Sequence, residues 1–427
     1  MSKRIALKTI GCKLNFAETS TISREFSNRG FEIVNFSDKA DVYLINTCTV
    51  TANADKDCRR AVHQANRNNP NAFIALVGCF SQLNPETASS IPGVSTVLGN
   101  DEKFNVFEYY KDFKNNTDEF IYHSQIDKLD EFHSSYSADE RTRTFLKIQD
   151  GCDYECTYCT IPHARGKSRS DNIANTMLHA SEIAKTDTRE IVLTGVNTGD
   201  FGRCTKESFF DLIKELDKVE NIDRIRISSI EPNLLTNEMI DFIAESRLFV
   251  PHFHIPLQSG SNKVLKDMRR RYQRELYTEK VDIIKSVIPD CCIGVDVIVG
   301  FPTETESDFR ETYDFINSLD ISYLHVFSYS PRINTKALYL KNIVKHAHRK
   351  ERSKILHELS DSKQKAFYNK FVGENRNVLF ESAVSGKIQG HTDNYIKAIS
   401  KGSTELLNKI VKVKLVENNI THMVGQI

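Results

Sequence analysis

Eight consecutive residues, Cys152-Asp153-Tyr154-Glu155-Cys156-Thr157-Tyr158-Cys159, place three thiols on one short loop. A C-x3-C-x2-C spacing can aim three sulfurs at a common centre, as the corners of a cubane iron–sulfur cluster require. Three thiolates on four irons leave one iron open to a substrate or cofactor, whereas a cluster that only carries electrons is usually closed by four cysteines. Zinc is the competing reading, with His163 completing a Cys3His set. Four ligands within twelve residues would leave little chain to fold around that metal. Three further cysteines, Cys12, Cys48 and Cys79, are far apart in sequence, yet each follows a strand pattern by one to three residues.

The elements that must position these thiols read as follows. Up to about residue 110, strands are expected at Arg4–Thr9, Phe31–Asn35, Val42–Asn46 and Phe73–Val77, with helices near Ala17–Arg29, Ala52–Arg67 and Pro85–Ser90. That alternation implies a parallel sheet flanked by helices, with ligands beyond the carboxyl ends of its strands. Cys12, Cys48 and Cys79 then meet on one edge. Tyr109 to Asp139 is polar and turn-rich, as in Lys114-Asn115-Asn116-Thr117, and reads as a linker. Strand patterns at Phe145–Gln149, Ile191–Thr194, Ile225–Ser229, His252–Leu257, Ile293–Val299 and Leu324–Ser328 alternate with helices, without antiparallel hairpin signals. They predict an incomplete (βα)6 barrel whose chemistry sits at the strand C-terminal ends. Lys345 to about Lys370 is a charged helix, expected to present a solvated face. After Gly373, short period-two strands such as Val411-Lys412-Val413-Lys414-Leu415 predict a small β-barrel.

The division expected is 1–115, a linker at 116–138, 139–365 and 366–427. The fold class is α/β. Lys+Arg and Asp+Glu both number 57 in 427 residues, which excludes a globally basic nucleic-acid coat but not a local basic surface. From Ala366 to the end, eight basic residues face five acidic ones, which suits contact with phosphates. No segment approaches 18 uninterrupted apolar residues, so no membrane span is expected. With no targeting peptide recognisable, the expected compartment is the cytoplasm, where cysteines serve metals or catalysis rather than disulfides.

The cysteine loop, placed after a strand and opening a six-repeat unit, resembles the radical S-adenosylmethionine (SAM) family. In that family an open iron binds SAM, and an electron from the cluster cleaves it to a 5′-deoxyadenosyl radical. The resemblance extends to Thr194-Gly195-Val196-Asn197, to Ser228, Ser229 and Glu231, to Gln258-Ser259-Gly260, and to Asp296 with Gly300-Phe301-Pro302. It implies cofactor contacts at Gly195, Asn197, Ser229, Glu231, Gln258 and Asp296.

Thr9-Ile10-Gly11-Cys12-Lys13-Leu14-Asn15, Asn46-Thr47-Cys48-Thr49-Val50 and Val77-Gly78-Cys79 resemble the N-terminal domain of the methylthiotransferases. Cys159 to Ser170 and Met268-Arg269-Arg270-Arg271-Tyr272 match as well, and Gly390-His391-Thr392-Asp393-Asn394-Tyr395 is similar to the TRAM domain, a small RNA-binding barrel. The resemblance implies two [4Fe–4S] clusters, one on Cys152, Cys156 and Cys159 and one on Cys12, Cys48 and Cys79. The first supplies the radical and the second the sulfur. The Cys-Lys-Leu-Asn start and Asn46 to Ala52 resemble the branch that modifies threonylcarbamoyladenosine beside the anticodon of tRNA. The partners implied are an anticodon stem-loop and a reductant such as flavodoxin or ferredoxin. The same reaction on isopentenyladenosine or on a ribosomal protein is the nearest alternative, and a non-catalytic iron–sulfur RNA-binding protein is one of another class. Three positions depart from the pattern: His163 where tyrosine is common, Thr303 where glycine is frequent, and Pro331-Arg332 in place of Pro-Gly. Arg165, Lys167, Arg169 and Arg269 to Arg271 are candidates for phosphate contacts. Cys58, Cys204, Cys291 and Cys292 fall outside both triplets and read as structural.

Overall fold

The computed structural model describes residues 2–49, 52–114, 121–126, 129–137 and 142–427, with backbone alone for 52–54 and 114. Val50 and Thr51 of the second cysteine motif, and residues 115–120, 127–128 and 138 of the expected linker region, lie outside the described residues. Among the described residues no helix is long and apolar enough to cross a membrane.

Six parallel strands form the first sheet: β1 (Arg4–Thr9), β2 (Glu32–Val34), β3 (Val42–Thr47), β4 (Phe73–Gly78), β5 (Thr96–Leu98) and β6 (Ile121–Tyr122), in the order β2-β1-β3-β4-β5-β6. Its helices are α1 (Lys13–Asn28), α2 (Ala52–Asn68), α3 (Cys79–Leu83), α4 (Pro85–Ser89) and α5 (Val106–Lys114). Every residue of β3 and β4 is buried, because helices cover both faces. Tyr43, Ile45, Ile74 and Leu76 pack with Cys58, Ala61 and Val62 of α2. Their neighbours of opposite parity, Val42, Leu44, Phe73 and Ala75, pack with Ile22 and Phe26 of α1 and Tyr110 of α5. The strand order reverses between β1 and β3, which opens a crevice where Cys12 and Cys48 emerge.

The second unit contains β7 (Ser135–Tyr136), β8 (Arg143–Lys147), β9 (Gln149–Asp150), β10 (Arg169–Ser170), β11 (Glu190–Thr194), β12 (Arg224–Ile227), β13 (His252–His254), β14 (Cys292–Val299) and β15 (Tyr323–Ser328). Parallel pairing runs β8-β11-β12 and β13-β14-β15, and single bridges from Ile225 to Phe249 and from Ser229 to His254 join the two arcs. The six expected strands therefore form one curved parallel wall. Helices α6 (Ile161–Arg165), α7 (Ile173–Ile183), α8 (Phe209–Leu216), α9 (Asn237–Glu245), α10 (Asn262–Asp267), α11 (Arg274–Val287) and α12 (Glu306–Ser318) alternate with these strands. Asn172, Ser208, Thr236 and Thr305 cap α7, α8, α9 and α12 by accepting a backbone N–H three residues on, which starts each helix soon after its strand.

Two features were not anticipated. The expected linker contains β6, which extends the first sheet, and β7, which pairs antiparallel with β8; β9 and β10 also pair antiparallel. Strands of two residues are too short to leave a period-two pattern. The charged helix, α13 (His346–Asn369), is not simply a solvated face. Arg352 is buried against Glu304 at 2.6 Å, and Arg349 donates to the Tyr329 carbonyl at 2.9 Å, because the helix packs along β15.

Strands β16 (Asn375–Val384), β17 (Lys387–Thr392), β18 (Lys397–Lys401), β19 (Ile410–Asn418) and β20 (Met423–Gln426) close a barrel. Val413 and Leu415 point into it while Lys412 and Lys414 stay exposed, as period two requires. The barrel rests on the base of the second unit: Arg224 of β12 donates to the carbonyls of Asn377 and His391, and Arg143 of β8 pairs with Glu381.

Candidate functional site: two cysteine cradles on one cavity

The C-x3-C-x2-C loop leaves β9 through Gly151, whose φ of +68° and lack of a side chain are both used. A Cβ there would lie 1.9 Å from the Lys167 carbonyl oxygen. The loop is tied to the far wall by Thr157, which donates from its N–H to Met268 and from its hydroxyl to the Asp267 carbonyl. Cys152, Cys156 and Cys159 line a cavity of about 910 Å³. Burial pushes the Cys152 and Cys159 thiols up to about 12 and raises Cys156, so a bound cation must displace their protons for them to ligate.

Asn197, Ser229, Glu231, Gln258 and Asp296 line the same cavity, one at the end of each successive strand. Gly195 does not line it. It packs on Gln149, where a Cβ would stand 3.0 Å from Oε1. Gln149 Oε1 also accepts the Asn197 N–H at 2.9 Å, so Gly195 shapes the turn that presents Asn197. Gln258 holds a φ of +67°, uncommon for a side chain of its size, and is fixed by backbone bonds to Asp296 and Ile298.

Arg270 was foreseen only as a phosphate candidate, and the structure corrects this. It is buried, donates to Cys156 Sγ at 3.0 Å, and forms an ion pair with Glu231. Burial raises the Glu231 carboxyl while Arg270 opposes that rise. A cation against three thiols suits an anionic metal–thiolate assembly.

In the N-terminal sheet, Cys12, Cys48 and Cys79 sit beyond the adjacent strands β1, β3 and β4. Gly11 has a φ of +112°, and a Cβ there would lie 2.6 Å from Cys48 Cβ, so only glycine lets the two loops close. Asn15 fastens them by donating to the carbonyls of Ile10 and Thr47 at 2.9 and 3.0 Å, and its Oδ1 accepts the Cys12 thiol at 3.6 Å. Asn100 reaches Cys79 Sγ at 3.8 Å and the Ala164 carbonyl of α6 at 2.6 Å. Since α6 begins two residues after Cys159, the two thiol sets face each other across the α3–α6 contact.

Arg165 and Arg169, the other phosphate candidates, are buried instead. Arg165 donates to Asn15, to Glu18 of α1 and to Asp150 of β9. Lys103 and Lys147 complete the seam, 2.6 and 3.0 Å from Glu18. Burial alone would raise the Glu18 carboxyl, but Arg165, Lys103 and Lys147 hold it well below the usual carboxylate range. These contacts join residues up to 147 positions apart and have no local sequence signal.

Among the described residues, only His254, Asp296 and His325 bring three metal-ligand atoms within 4.8 Å of one another. A mononuclear zinc site with Zn–S near 2.3 Å would hold its thiolates about 3.8 Å apart. Neither cysteine triplet is that tight, and His163 is exposed. The spread fits a polynuclear cluster, whose corners are further apart. Of the departures noted, Thr303 takes a φ of +83° and is held by its hydroxyl to Asp267, and Asn334 takes +66°, a conformation asparagine tolerates. Cys58, Cys291 and Cys292 are buried in hydrophobic clusters, and Cys204 is exposed beside Ser168.

Residues 146–316 match the Radical SAM superfamily, and residues 4–99 match a family described as Uncharacterized protein family UPF0004. The chain is 39% identical over 99% of its length, and 96% of the relative's, to the threonylcarbamoyladenosine tRNA methylthiotransferase MtaB of Bacillus subtilis (strain 168). It is 38% identical to the protein of the same name from Aquifex aeolicus (strain VF5), over 96% of this chain and 99% of the relative. The tRNA-2-methylthio-N(6)-dimethylallyladenosine synthase of Aquifex aeolicus is 29% identical over 100% of this chain and 99% of its own. Among solved structures, the radical S-adenosylmethionine methyltransferase TsrM from Kitasatospora setae superposes with a TM-score of 0.58 at 14% identity, covering 77% of this chain and 75% of that one, a likeness of fold.

Proposed function

The chain belongs to the radical SAM tRNA methylthiotransferases, and from that premise we propose that it inserts a methylthio group at C2 of N6-threonylcarbamoyladenosine beside the anticodon of tRNA. The observation that carries this reading is the meeting of two separate three-cysteine cradles at one cavity, bridged by Asn100 between Cys79 and α6. When bound, a [4Fe–4S] cluster at each cradle and SAM at the first supply the radical and the sulfur that an aromatic C–H with no polar leaving group demands.

The chain's own residues hold and align. Cys152, Cys156 and Cys159 ligate one cluster, and Arg270 offsets its negative charge. Asn197, Ser229, Glu231, Gln258 and Asp296 offer the polar edge for the amino, carboxylate and ribose groups of SAM. Cys12, Cys48 and Cys79 ligate the second cluster, and Asn15 fixes two of their loops. The buried seam of Glu18, Arg165 and Asp150 keeps both cradles in one rigid body, so that a short-lived radical forms beside its acceptor. Unpaired loop bases suit extrusion into such a cavity. The C-terminal barrel, read as a TRAM-like module, adds exposed lysines such as Lys412 and Lys414 for phosphates. The chemistry calls for a one-electron donor of the flavodoxin or ferredoxin class.

The test is mass spectrometry of tRNA nucleosides from a deletion strain, with anaerobic assay of the reconstituted enzyme. Loss of the methylthio-threonylcarbamoyl nucleoside supports the reading, and loss of a methylthio-isopentenyl nucleoside instead refutes it. Cys156→Ala should abolish 5′-deoxyadenosine formation, whereas Cys48→Ala should keep that cleavage and lose sulfur insertion. Equal loss of cleavage in both would contradict the division of roles.

A further inference from the structure

The inner face of the β-wall is polar. The register sets Arg143 beside Glu190 and Val192 beside Phe145, with Arg226 opposite Val192, while residues of the other parity pack outward on the helices. The first turn of α1 enters this concave side, where Phe16 and Ala17 pack on Phe145 and Val192. Lys13, the first residue of α1, therefore points its chain into the lumen, among Arg143, Arg226, Glu190 and Asp296.

The charges around it are already matched. Arg226 pairs with Glu190 at 2.8 Å, Arg143 with Glu381 at 3.1 Å, and Asp296 with His254 at 2.8 Å. Lys13 itself makes no hydrogen bond or ion pair among the described residues. Burial, then Arg143 and Arg226, disfavours its charge. An ammonium enclosed by protein, surrounded by like charges and lacking a partner, is an arrangement that a bound anion relieves. Asp296 both lines the cavity and neighbours Lys13, so the ammonium is reached from the cavity itself.

The geometry points to Lys13 as the residue that reads the substrate, by pairing with a carboxylate carried on the N6 substituent of the target adenosine. This rests on the function proposed above and deepens it. Lys13 follows Cys12 directly, so a base whose C2 edge faces the cradles would extend its N6 substituent along the same wall into the lumen. An isopentenyl substituent offers no such anion, and Lys13 would then be buried without a partner, a cost that works against that base.

The test compares two anticodon stem-loops, one carrying N6-threonylcarbamoyladenosine and the other its neutral methyl ester, by anaerobic binding to reconstituted wild type, Lys13→Met and Lys13→Arg. Wild type should prefer the acid by roughly ten- to hundredfold, the range of a charge-assisted hydrogen bond. In Lys13→Met that preference should fall below about threefold, and Lys13→Arg should retain part of it. The acid-to-ester ratio is internal to each protein, so partial misfolding or lost iron does not change its meaning. An unchanged ratio in Lys13→Met overturns the inference, and equal weakening towards both stem-loops assigns Lys13 to an RNA phosphate or to SAM and likewise overturns it. The substrate reading fails separately if wild type methylthiolates an isopentenyladenosine stem-loop and not the threonylcarbamoyl one.

Discussion

Glu18→Gln tests the seam that joins the two cradles. Glu18 is fully buried and lies 2.6 Å from Lys103, 2.9 Å from Arg165 and 3.0 Å from Lys147. Neutralising it leaves those three cations and Arg169 facing Asp150 as the remaining carboxylate of the seam. Breaking a buried pair from one side costs about 3–5 kcal/mol, because the surviving charges stay desolvated. Glutamine can still accept one hydrogen bond, so the lower end of that range is expected. At about 2–4 °C per kcal/mol for units of this size, the first thermal transition should fall by roughly 10 °C. Anaerobic calorimetry of the reconstituted protein reads this directly. Lys103→Met in the same background should be less damaging than the two single losses added together, since removing both partners leaves less charge stranded. A transition within about 1 °C of wild type, or strict additivity in the double variant, would show that the seam does not act as a charge network.

Other predictions follow from the same geometry. Gly151→Ala sets a methyl group against the Lys167 carbonyl at a φ that disfavours any side chain, so iron should fall from about eight to about four atoms per chain; full iron content would refute the role given to this turn. Arg270→Met removes the cation 3.0 Å from Cys156 Sγ, so the midpoint potential of the nearby cluster should drop by on the order of 100 mV. Arg270→Lys should recover most of that, and an unchanged or higher potential in the methionine variant, followed by electron paramagnetic resonance, would count against electrostatic tuning.

The six thiols were legible because their signals are local. Three share one loop, and the other three each follow a hydrophobic run of strand length, so the parallel topology alone brings them to one sheet edge. Five of the six residues assigned to the cofactor lie on the cavity for the same reason, at consecutive strand ends; Gly195 departs because its missing side chain serves packing on Gln149. The positions of Arg165, Arg169 and Arg270 were not legible. A surface arginine and a buried one have the same local sequence, and only the approach of a partner far along the chain tells them apart.

What the sequence by itself determined about this protein is the donor chemistry and the alternation of elements, since ligand spacing and hydrophobic period are properties of short windows. Tertiary structure alone decided which charges are buried and paired. Glu18 meets Arg165 across 147 residues, and Arg270 meets Cys156 across 114. It also decided that Lys13, ordinary in sequence, is the cation left without a partner inside the wall, because pairing depends on three-dimensional distance and on the water that folding removes.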